Sequence, residues 1–384
     1  MEKVALLSMM KMENNYTINA QDLQNRYSEA MILLKKLIAT LSFSKEENNT
    51  ANILEKFFHD KNIQPKRFLN NVWLCNKNFN SNKFTLLLNS HHDTVKPNSG
   101  YTLSPFEPLE KEGKLFGLGS NDAGGALVSL VSVFVHFYEA DLPFNLVFAA
   151  TAEEEISGKN GIEILLDQLP KIDVAIVGEP TLMNMAVAEK GLLVLDAKAK
   201  GEAGHAARDE GVNSLYIALK DIEWLCQFNF PKVSDLLGPV HIAVTSINTP
   251  NIAHNVVPSE CNFVIDIRVN ELYTFEEIIE TLRSNISSEI TPRSTRLRST
   301  SIDKSHPLIK AGVACGFTSY GSPTTSDKAL MPFPSLKIGP GDSARSHTAN
   351  EFIYVNEIRD GIEKYTRLLQ NFATELGKPE NNYK

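Results

Sequence analysis

The stretch Gly117-Leu-Gly-Ser-Asn-Asp122-Ala-Gly-Gly125 decides how the rest of the chain is interpreted, because it sets one carboxylate among four glycines. Glycine permits backbone conformations with positive φ and lets other groups approach closely. Such a loop can hold the Asp122 side chain where the backbone turns sharply. The apolar run from Ala126 to Val135 follows at once and predicts a buried helix or strand. A glycine-rich turn is most often only a turn, so a role for Asp122 depends on other residues.

The length, net charge and amino-acid composition limit the classes of protein to which the chain can belong. The chain has 384 residues, enough for about 2–3 domains. Its net charge of -8 argues against a nucleic-acid or membrane-surface role, since both need a basic patch. We find no apolar run long enough to cross a bilayer, and we expect a cytoplasmic protein whose translation starts at Met1 or Met12. The cysteines are scattered without a CxxC pair, which disfavours a cysteine zinc site: Cys75, Cys226, Cys261 and Cys315.

Buried strands alternate with helices in the first part of the chain. Unbroken apolar runs predict strands at Phe84–Leu88, Asn145–Ala150 and Asp173–Val177, and helical spacing predicts a helix at Tyr27–Leu41. This alternation indicates an α/β fold with a mostly parallel sheet. Acidic residues and histidines follow directly after the strands, where open α/β sheets place their functional sites.

The pattern changes after Pro180. Strands and helices then follow in the order β-α-β-β-α-β, which is typical of a ferredoxin-like domain. We place its fourth strand around Thr295–Arg298. The sequence therefore predicts a catalytic domain in two parts, residues 1–182 and 297–384, with an inserted lid or dimerisation domain at 183–296.

Seven acidic and histidine side chains follow predicted strands or lie in loops: His91, Asp93, Asp122, Glu154, Glu155, Glu179 and His347. Each alone has an ordinary explanation as a surface, turn or loop residue. Together they favour a metal site, because the consecutive carboxylates of Glu153, Glu154 and Glu155 repel one another and a divalent cation removes that cost. Imidazole and carboxylate ligands suit zinc, cobalt or manganese. Two histidines and three carboxylates suit two ions that share a carboxylate.

These residues also carry a resemblance that covers nearly the whole chain. The motifs are His91-His-Asp-Thr-Val, Gly117-Leu-Gly-Ser-Asn-Asp122, Thr151-Ala-Glu-Glu-Glu155, Gly178-Glu-Pro-Thr181 and His347-Thr-Ala-Asn-Glu351. In this order they resemble the zinc-dependent deacylase and exopeptidase family, which includes acetylornithine deacetylase, succinyl-diaminopimelate desuccinylase and carboxypeptidase G. The resemblance implies an α/β catalytic domain with an inserted ferredoxin-like domain.

The resemblance also implies a ligand set for two zinc ions. His91 and Glu179 bind one ion, Glu155 and His347 bind the other, and Asp122 bridges both. Co²⁺ or Mn²⁺ are the alternatives to Zn²⁺.

Two further residues receive catalytic roles by the same resemblance. Asp93 orients His91, as carboxylates beside metal-ligating histidines usually do. Glu154 is the general base, which takes a proton from the attacking water and delivers it to the leaving amine.

The inserted domain carries the residues that the resemblance assigns to substrate. His205 is expected to reach the active site of the partner in a homodimer, and Asn255 and Arg268 to position the substrate and its carboxylate. Lys190 is expected to contact an acidic acyl group. As purely structural residues, His205 would cap a helix and Arg268 would lie on a strand surface.

Three positions depart from the family pattern. Gly124 stands where the family usually has lysine, Glu153 stands where the family often has aspartate, and His92 adds a second histidine beside His91. Since none removes a ligand, they bear on the subfamily and leave the chemistry intact.

The resulting hypothesis is a di-zinc hydrolase of N-acyl amino acids, acting on N-acetyl- or N-succinyl-ornithine or citrulline in arginine biosynthesis. The alternatives within the family are a succinyl-diaminopimelate desuccinylase and a di- or tripeptidase. An alternative of another class is a non-catalytic binding protein on a decayed hydrolase fold.

Overall fold

A computed structural model describes residues 18–208 and 210–378. Met1 and Met12, the two candidate start residues, lie outside the described residues. The chain divides into two compact units. The first contains the residues up to Val187, then Ile302–Tyr320, then the residues from Ser326 onward. The second contains Ala188–Ser301 and Gly321–Thr325.

Helices and strands follow one another along both units. The helices are α1 (Ala20–Ile38), α2 (Asn48–His59), α3 (Gly125–Phe137), α4 (Ile162–Leu165), α5 (Ser214–Gln227), α6 (Phe275–Arg283), α7 (Pro307–Ala314) and α8 (Val355–Leu376). The strands are β1 (Lys66–Phe68), β2 (Asn71–Cys75), β3 (Thr85–His91), β4 (Leu109–Lys111), β5 (Lys114–Phe116), β6 (Asn145–Thr151), β7 (Val174–Val177), β8 (Met185–Glu189), β9 (Gly191–Lys200), β10 (Gly204–His205), β11 (His241–Asn248), β12 (Val256–Val257), β13 (Glu260–Val269), β14 (Glu289–Pro292), β15 (Thr300–Ser301), β16 (Ser319–Ser322), β17 (Ser335–Lys337) and β18 (Phe352–Tyr354).

The first unit is built on a mainly parallel sheet with the order β1-β2-β6-β3-β7-β17-β8. Its central strands β6, β3, β7 and β17 run parallel to one another, which confirms the predicted fold class. Every residue of β3, β6 and β7 is buried, as expected for strands covered on both faces. Helices α1, α3 and α8 pack together beside this sheet.

Aromatic side chains fill the core of this unit. Phe58 packs against Phe134 and Phe148, with ring centroids 6.2 Å and 5.8 Å away, and each ring is fully buried. Aromatic rings bury large apolar areas and stabilise the core in which they pack. Phe148 belongs to β6, so this packing supports a strand that leads to the functional side chains.

The second unit holds an antiparallel sheet with the order β11-β13-β9-β14. Helices α5 and α6 contribute to the core beside it, and the chain order is the predicted β-α-β-β-α-β. The predicted position of the fourth strand is wrong. The strand is Glu289–Pro292, where Ile290 is buried and pairs with Ala197, whereas residues 295–298 form no strand. A four-residue strand with one buried apolar side chain leaves too weak a pattern, and its pairing is long-range.

Among residues 18–208 and 210–378, none of the helices combines the length and apolar character that a membrane crossing requires.

Candidate metal and catalytic site

The glycine-rich loop delivers Asp122 to the start of α3. Gly119 has a φ of 74°, in the left-handed region that favours glycine. Gly124 lies so close to it that an added Cβ would stand 2.3 Å from the Gly119 carbonyl oxygen. Side chains at these two positions would strain or open the loop. The four glycines noted in the sequence thus include two that the turn requires in the conformation that this chain adopts.

A first group of side chains surrounds the Nε2 atom of His91. Asp122 Oδ1 lies 3.3 Å from this nitrogen and Glu179 Oε1 lies 3.9 Å from it. The potential ligand atoms of all three residues lie within 4.8 Å of one another. They come from the end of β3, the loop before α3 and the turn after β7, so the parallel sheet brings them to one edge.

A second group forms around the other oxygen of the same carboxylate. His347 Nε2 lies 3.6 Å from Asp122 Oδ2 and 2.9 Å from Glu155 Oε2. The potential ligand atoms of these three residues also lie within 4.8 Å of one another. Asp122 therefore turns one oxygen toward each group, which is the arrangement that a bridging carboxylate requires.

Asp93 contacts both His91 and the acidic turn, which comprises residues 153–155 after β6. The Nδ1 atom of His91 lies 3.0 Å from the Asp93 carbonyl oxygen. Since a carbonyl only accepts, Nδ1 carries a proton, which leaves Nε2 as the nitrogen that can bind a cation. The Asp93 carboxylate accepts the backbone N–H groups of Glu154 and Glu155, each at 3.1 Å, and the hydroxyl of Ser44 at 2.7 Å.

The acidic turn follows β6 without a break. Glu153 adopts a left-handed conformation with a φ of 57°, and Glu154 then begins a short 3-10 turn. Desolvation raises the pKa of Glu154 well above its ordinary value, and the nearby charges of Glu179 and Asp327 raise it further. Burial also raises the pKa of Glu155. A carboxylate whose pKa is raised in this way is suited to take up and release a proton.

The donor set fits a pair of divalent cations. It consists of imidazole nitrogens and carboxylate oxygens, the ligands that zinc, cobalt and manganese accept. The carboxylates of Asp122, Glu154, Glu155 and Glu179 converge, and their mutual repulsion is a cost that bound cations remove. The two groups that share Asp122 would hold one ion each.

Two buried carboxylates beside this site were missed by the sequence analysis. Glu351 accepts backbone N–H groups of the glycine-rich loop, and burial raises its pKa to about 7. Asp327 accepts the hydroxyl of Thr151 at 2.7 Å, and burial raises its pKa to about 6. The Thr151 hydroxyl oxygen in turn accepts a hydrogen bond from the side-chain amide of Asn89 at 3.0 Å. Since Asn89 lies in β3 and Thr151 in β6, Asp327 helps to connect the ends of these two strands. The only sequence signal for Glu351 was its place in the motif with His347.

The four residues expected to bind substrate lie in the second unit. His205 is exposed in β10, which pairs with β12, and the Ala206 N–H donates to the Asn255 carbonyl at 3.1 Å. Lys190 Nζ donates to the Pro239 carbonyl at 2.8 Å. Arg268 makes a two-point ion pair with Asp266, at 2.8 Å and 3.2 Å.

The amino-acid sequence of the chain matches a known protein family. The profile of Peptidase family M20/M25/M40 matches residues 87–371, which include every residue of the two groups. This chain belongs to that family. Its membership makes it a metal-dependent hydrolase, as the sequence analysis predicted.

Individual M20/M25/M40 proteins agree with this result. Acetylornithine deacetylase of Proteus mirabilis (strain HI4320) is 28% identical over 376 residues, covering 89% of this chain and 96% of the relative. Succinyl-diaminopimelate desuccinylase of Erythrobacter litoralis (strain HTCC2594) is 30% identical over 195 residues, covering 48% of this chain and 51% of the relative.

Solved structures share the M20/M25/M40 fold. A tripeptidase from Staphylococcus aureus subsp. aureus mu50 superposes with a TM-score of 0.73 at 21% identity, covering 93% of this chain and 99% of that structure.

Proposed function

We propose that the chain is a two-metal amidohydrolase that cleaves the amide bond of N-acyl amino acids. The observation that carries this proposal is the carboxylate of Asp122, which turns Oδ1 toward His91 and Oδ2 toward His347. The substrate we favour is N-acetyl- or N-succinyl-ornithine or citrulline, as in arginine biosynthesis. The similarity to an acetylornithine deacetylase along 96% of its length supports this choice.

The metal ligands of the proposal are the members of the two groups. His91 and Glu179 hold one ion, Glu155 and His347 hold the other, and Asp122 holds both. Zn²⁺ is the favoured metal, with Co²⁺ or Mn²⁺ as alternatives. Bound divalent ions supply Lewis-acid polarisation of the scissile carbonyl.

Glu154 moves the proton. Its carboxylate takes a proton from the water that attacks the amide carbonyl, and it then delivers that proton to the leaving amine nitrogen. Asp93 keeps Glu154 in place through the backbone N–H and keeps the Nδ1 proton on His91.

In this proposal, residues of the second unit recognise the substrate. The guanidinium of Arg268 binds the α-carboxylate, because its planar donors match two carboxylate oxygens. Asn255 positions the substrate backbone, and Lys190 contacts an acidic acyl group. His205 donates to the carbonyl oxygen of a substrate held by the partner subunit.

The dimer of the proposal forms through residues 183–296, taken as the lid and dimerisation domain. β11 stands at one end of its sheet order, and exposed edge strands are usually paired or covered. Tyr216 and Leu219 on α5 are 66% and 53% exposed, which is unusual for large apolar side chains. In a two-fold symmetric dimer, this surface would be buried against the same surface of the partner subunit. We place the enzyme in the cytoplasm.

Substrate assays distinguish this function from its rivals. The purified chain, loaded with Zn²⁺, is tested against matched N-acetyl and N-succinyl amino acids and against di- and tripeptides. Highest kcat/KM on N-acyl ornithine or citrulline supports the proposal. Highest kcat/KM on N-succinyl-diaminopimelate assigns the desuccinylase function that the second relative favours. Absence of bound metal and of turnover would indicate a non-catalytic binding protein.

A further inference from the structure

Glu351 is a buried carboxylate that holds the glycine-rich loop by its backbone. It is 1% exposed. Its Oε1 atom accepts the N–H groups of Asn121 and Asp122 at 2.8 Å and 2.9 Å, and its Oε2 atom accepts the N–H of Gly119 at 3.1 Å. Three peptide groups of one loop therefore point at one side chain, a concave donor arrangement that binds anions.

The backbone of Glu351 also holds the glycine-rich loop. The carbonyl of Glu351 accepts the N–H of Gly117 at 3.0 Å. The preceding residue, Asn350, accepts the N–H groups of Thr102 and Leu103 with its side chain, both at 2.9 Å. Glu351 is thus fixed at both its backbone and its side chain.

Glu351 also connects the two metal-ligand groups. It follows His347 by four residues, and His347 itself is held where its carbonyl accepts the side-chain amide of Asn98 at 3.1 Å. The Asp122 loop on one side and the His347 segment on the other are therefore joined through one carboxylate. A shift of either segment changes the distance from His347 Nε2 to Asp122 Oδ2, which is 3.6 Å.

Burying this carboxylate beside Asp122 has a cost, since like charges repel in a poorly solvated environment. The three N–H groups offset that cost only while the loop keeps its conformation. We propose that Glu351 is a positioning residue for metal binding, which orients Asp122 so that each of its oxygens faces one ion. This inference rests on the proposed two-metal site.

Metal affinity tests the inference separately from catalysis. Apoprotein is titrated with Zn²⁺ in competition with a chromophoric chelator, for the wild-type chain and for Glu351→Gln. Glutamine keeps the size of the side chain but places an NH₂ group against one of the N–H donors. We expect Zn²⁺ binding to weaken about 10- to 100-fold, as for other residues that hold metal ligands in place. Glu351→Asp should weaken binding as well, since its shorter side chain withdraws the acceptors.

Asp221 provides a matched control. It is 5% exposed and accepts the N–H groups of Ser287 and Ser288 at 3.0 Å and 2.8 Å, in the second unit. Asp221→Asn should lower thermal stability and leave Zn²⁺ affinity unchanged.

The outcomes separate the two proposals. A wild-type chain that binds no Zn²⁺ refutes the proposed function itself. A wild-type chain that binds Zn²⁺ while Glu351→Gln binds it equally well refutes only the role of Glu351. If Glu351→Gln folds only with excess Zn²⁺ present, the inference is supported. If it fails to fold with or without Zn²⁺, Glu351 serves the fold alone and the inference is overturned.

Discussion

The carboxylate of Asp93 accepts the backbone N–H of Glu154 at 3.1 Å. Asp93 therefore holds the main chain of the acidic turn, whereas the Glu154 side chain takes no part in this hydrogen bond. This hydrogen bond holds the backbone of the proposed base without involving its own carboxylate. A change confined to the end of that side chain should leave the turn intact.

Glu154→Gln should therefore fold normally and retain bound metal while kcat falls by at least ~10²-fold, because an amide cannot accept the proton of the attacking water. Steady-state kinetics and elemental analysis of the same preparation check this. Turnover close to wild type would refute the role of Glu154.

Asp122→Ala should lower metal occupancy in both groups, because its two oxygens face both. His347→Ala should mainly empty the group that contains Glu155. Metal content per chain after dialysis measures the difference, with His254→Ala, at an exposed histidine, as the control. Retention of two metal ions per chain in Asp122→Ala would contradict the bridging role.

Arg268→Met should reduce kcat/KM for substrates with a free α-carboxylate roughly 10- to 100-fold, because a charged hydrogen-bonded pair is lost. The corresponding carboxamide substrates should be affected much less. Arg293→Met is the matched control, since Arg293 makes a similar ion pair with Asp196 at 2.8 Å. Equal losses on carboxylates and carboxamides would make Arg268 a structural residue that serves Asp266.

His205→Ala and Glu154→Ala should each be nearly inactive as homodimers but should complement each other when mixed. One active site of the heterodimer then receives an intact Glu154 from one chain and an intact His205 from the other, which restores up to about half of one dimer's activity. Each variant mixed with itself under the same exchange conditions is the control. Demonstrated subunit exchange without recovered activity would show that His205 does not act across the dimer.

Acid stability should depend on His306, the N-cap of α7. Its side chain accepts the N–H of Leu308 at 3.2 Å, and burial lowers its pKa from 6.5 to about 4. The unfolded chain binds this proton below about pH 6.5 and the folded chain only near pH 4, so stability is lost as the pH falls through this window. His306→Asn keeps an N-cap acceptor and should lose about 3 kcal/mol less than wild type between pH 7 and pH 4.

Urea unfolding of metal-free protein across this pH range measures the difference. His254→Asn, at an exposed histidine, serves as the control. Parallel pH curves for wild type and His306→Asn would contradict the prediction.

The sequence pattern was sufficient for the elements that carry apolar runs. The strand Asn145–Thr151 extends one residue beyond the predicted Asn145–Ala150, and Val174–Val177 begins one residue after the predicted start at Asp173, because burial on both faces is visible locally. The pattern failed for Glu289–Pro292, whose pairing partner lies far along the chain.

The residues of the candidate site also include some that the sequence predicted and some that it did not. Acidic residues and histidines after predicted strands suggested the two groups, because parallel strands end at one edge of the sheet. Glu351 was missed because its partners are backbone N–H groups, which every residue except proline has. Asp327 was missed because its partner is the hydroxyl of Thr151, a residue far away in the sequence. No composition or periodicity distinguishes the loop residue that receives such bonds.

The attachment of Glu351 to the Asp122 loop has a consequence for biosynthesis. The two segments are 229 residues apart in the chain, and β17, which pairs with β7 in the sheet, is also translated late. A ribosome must synthesise the chain beyond residue 351 before the loop can acquire its acceptor. Prematurely terminated chains therefore present an unfinished sheet and an unsupported glycine-rich loop, which should make them substrates for cellular quality control.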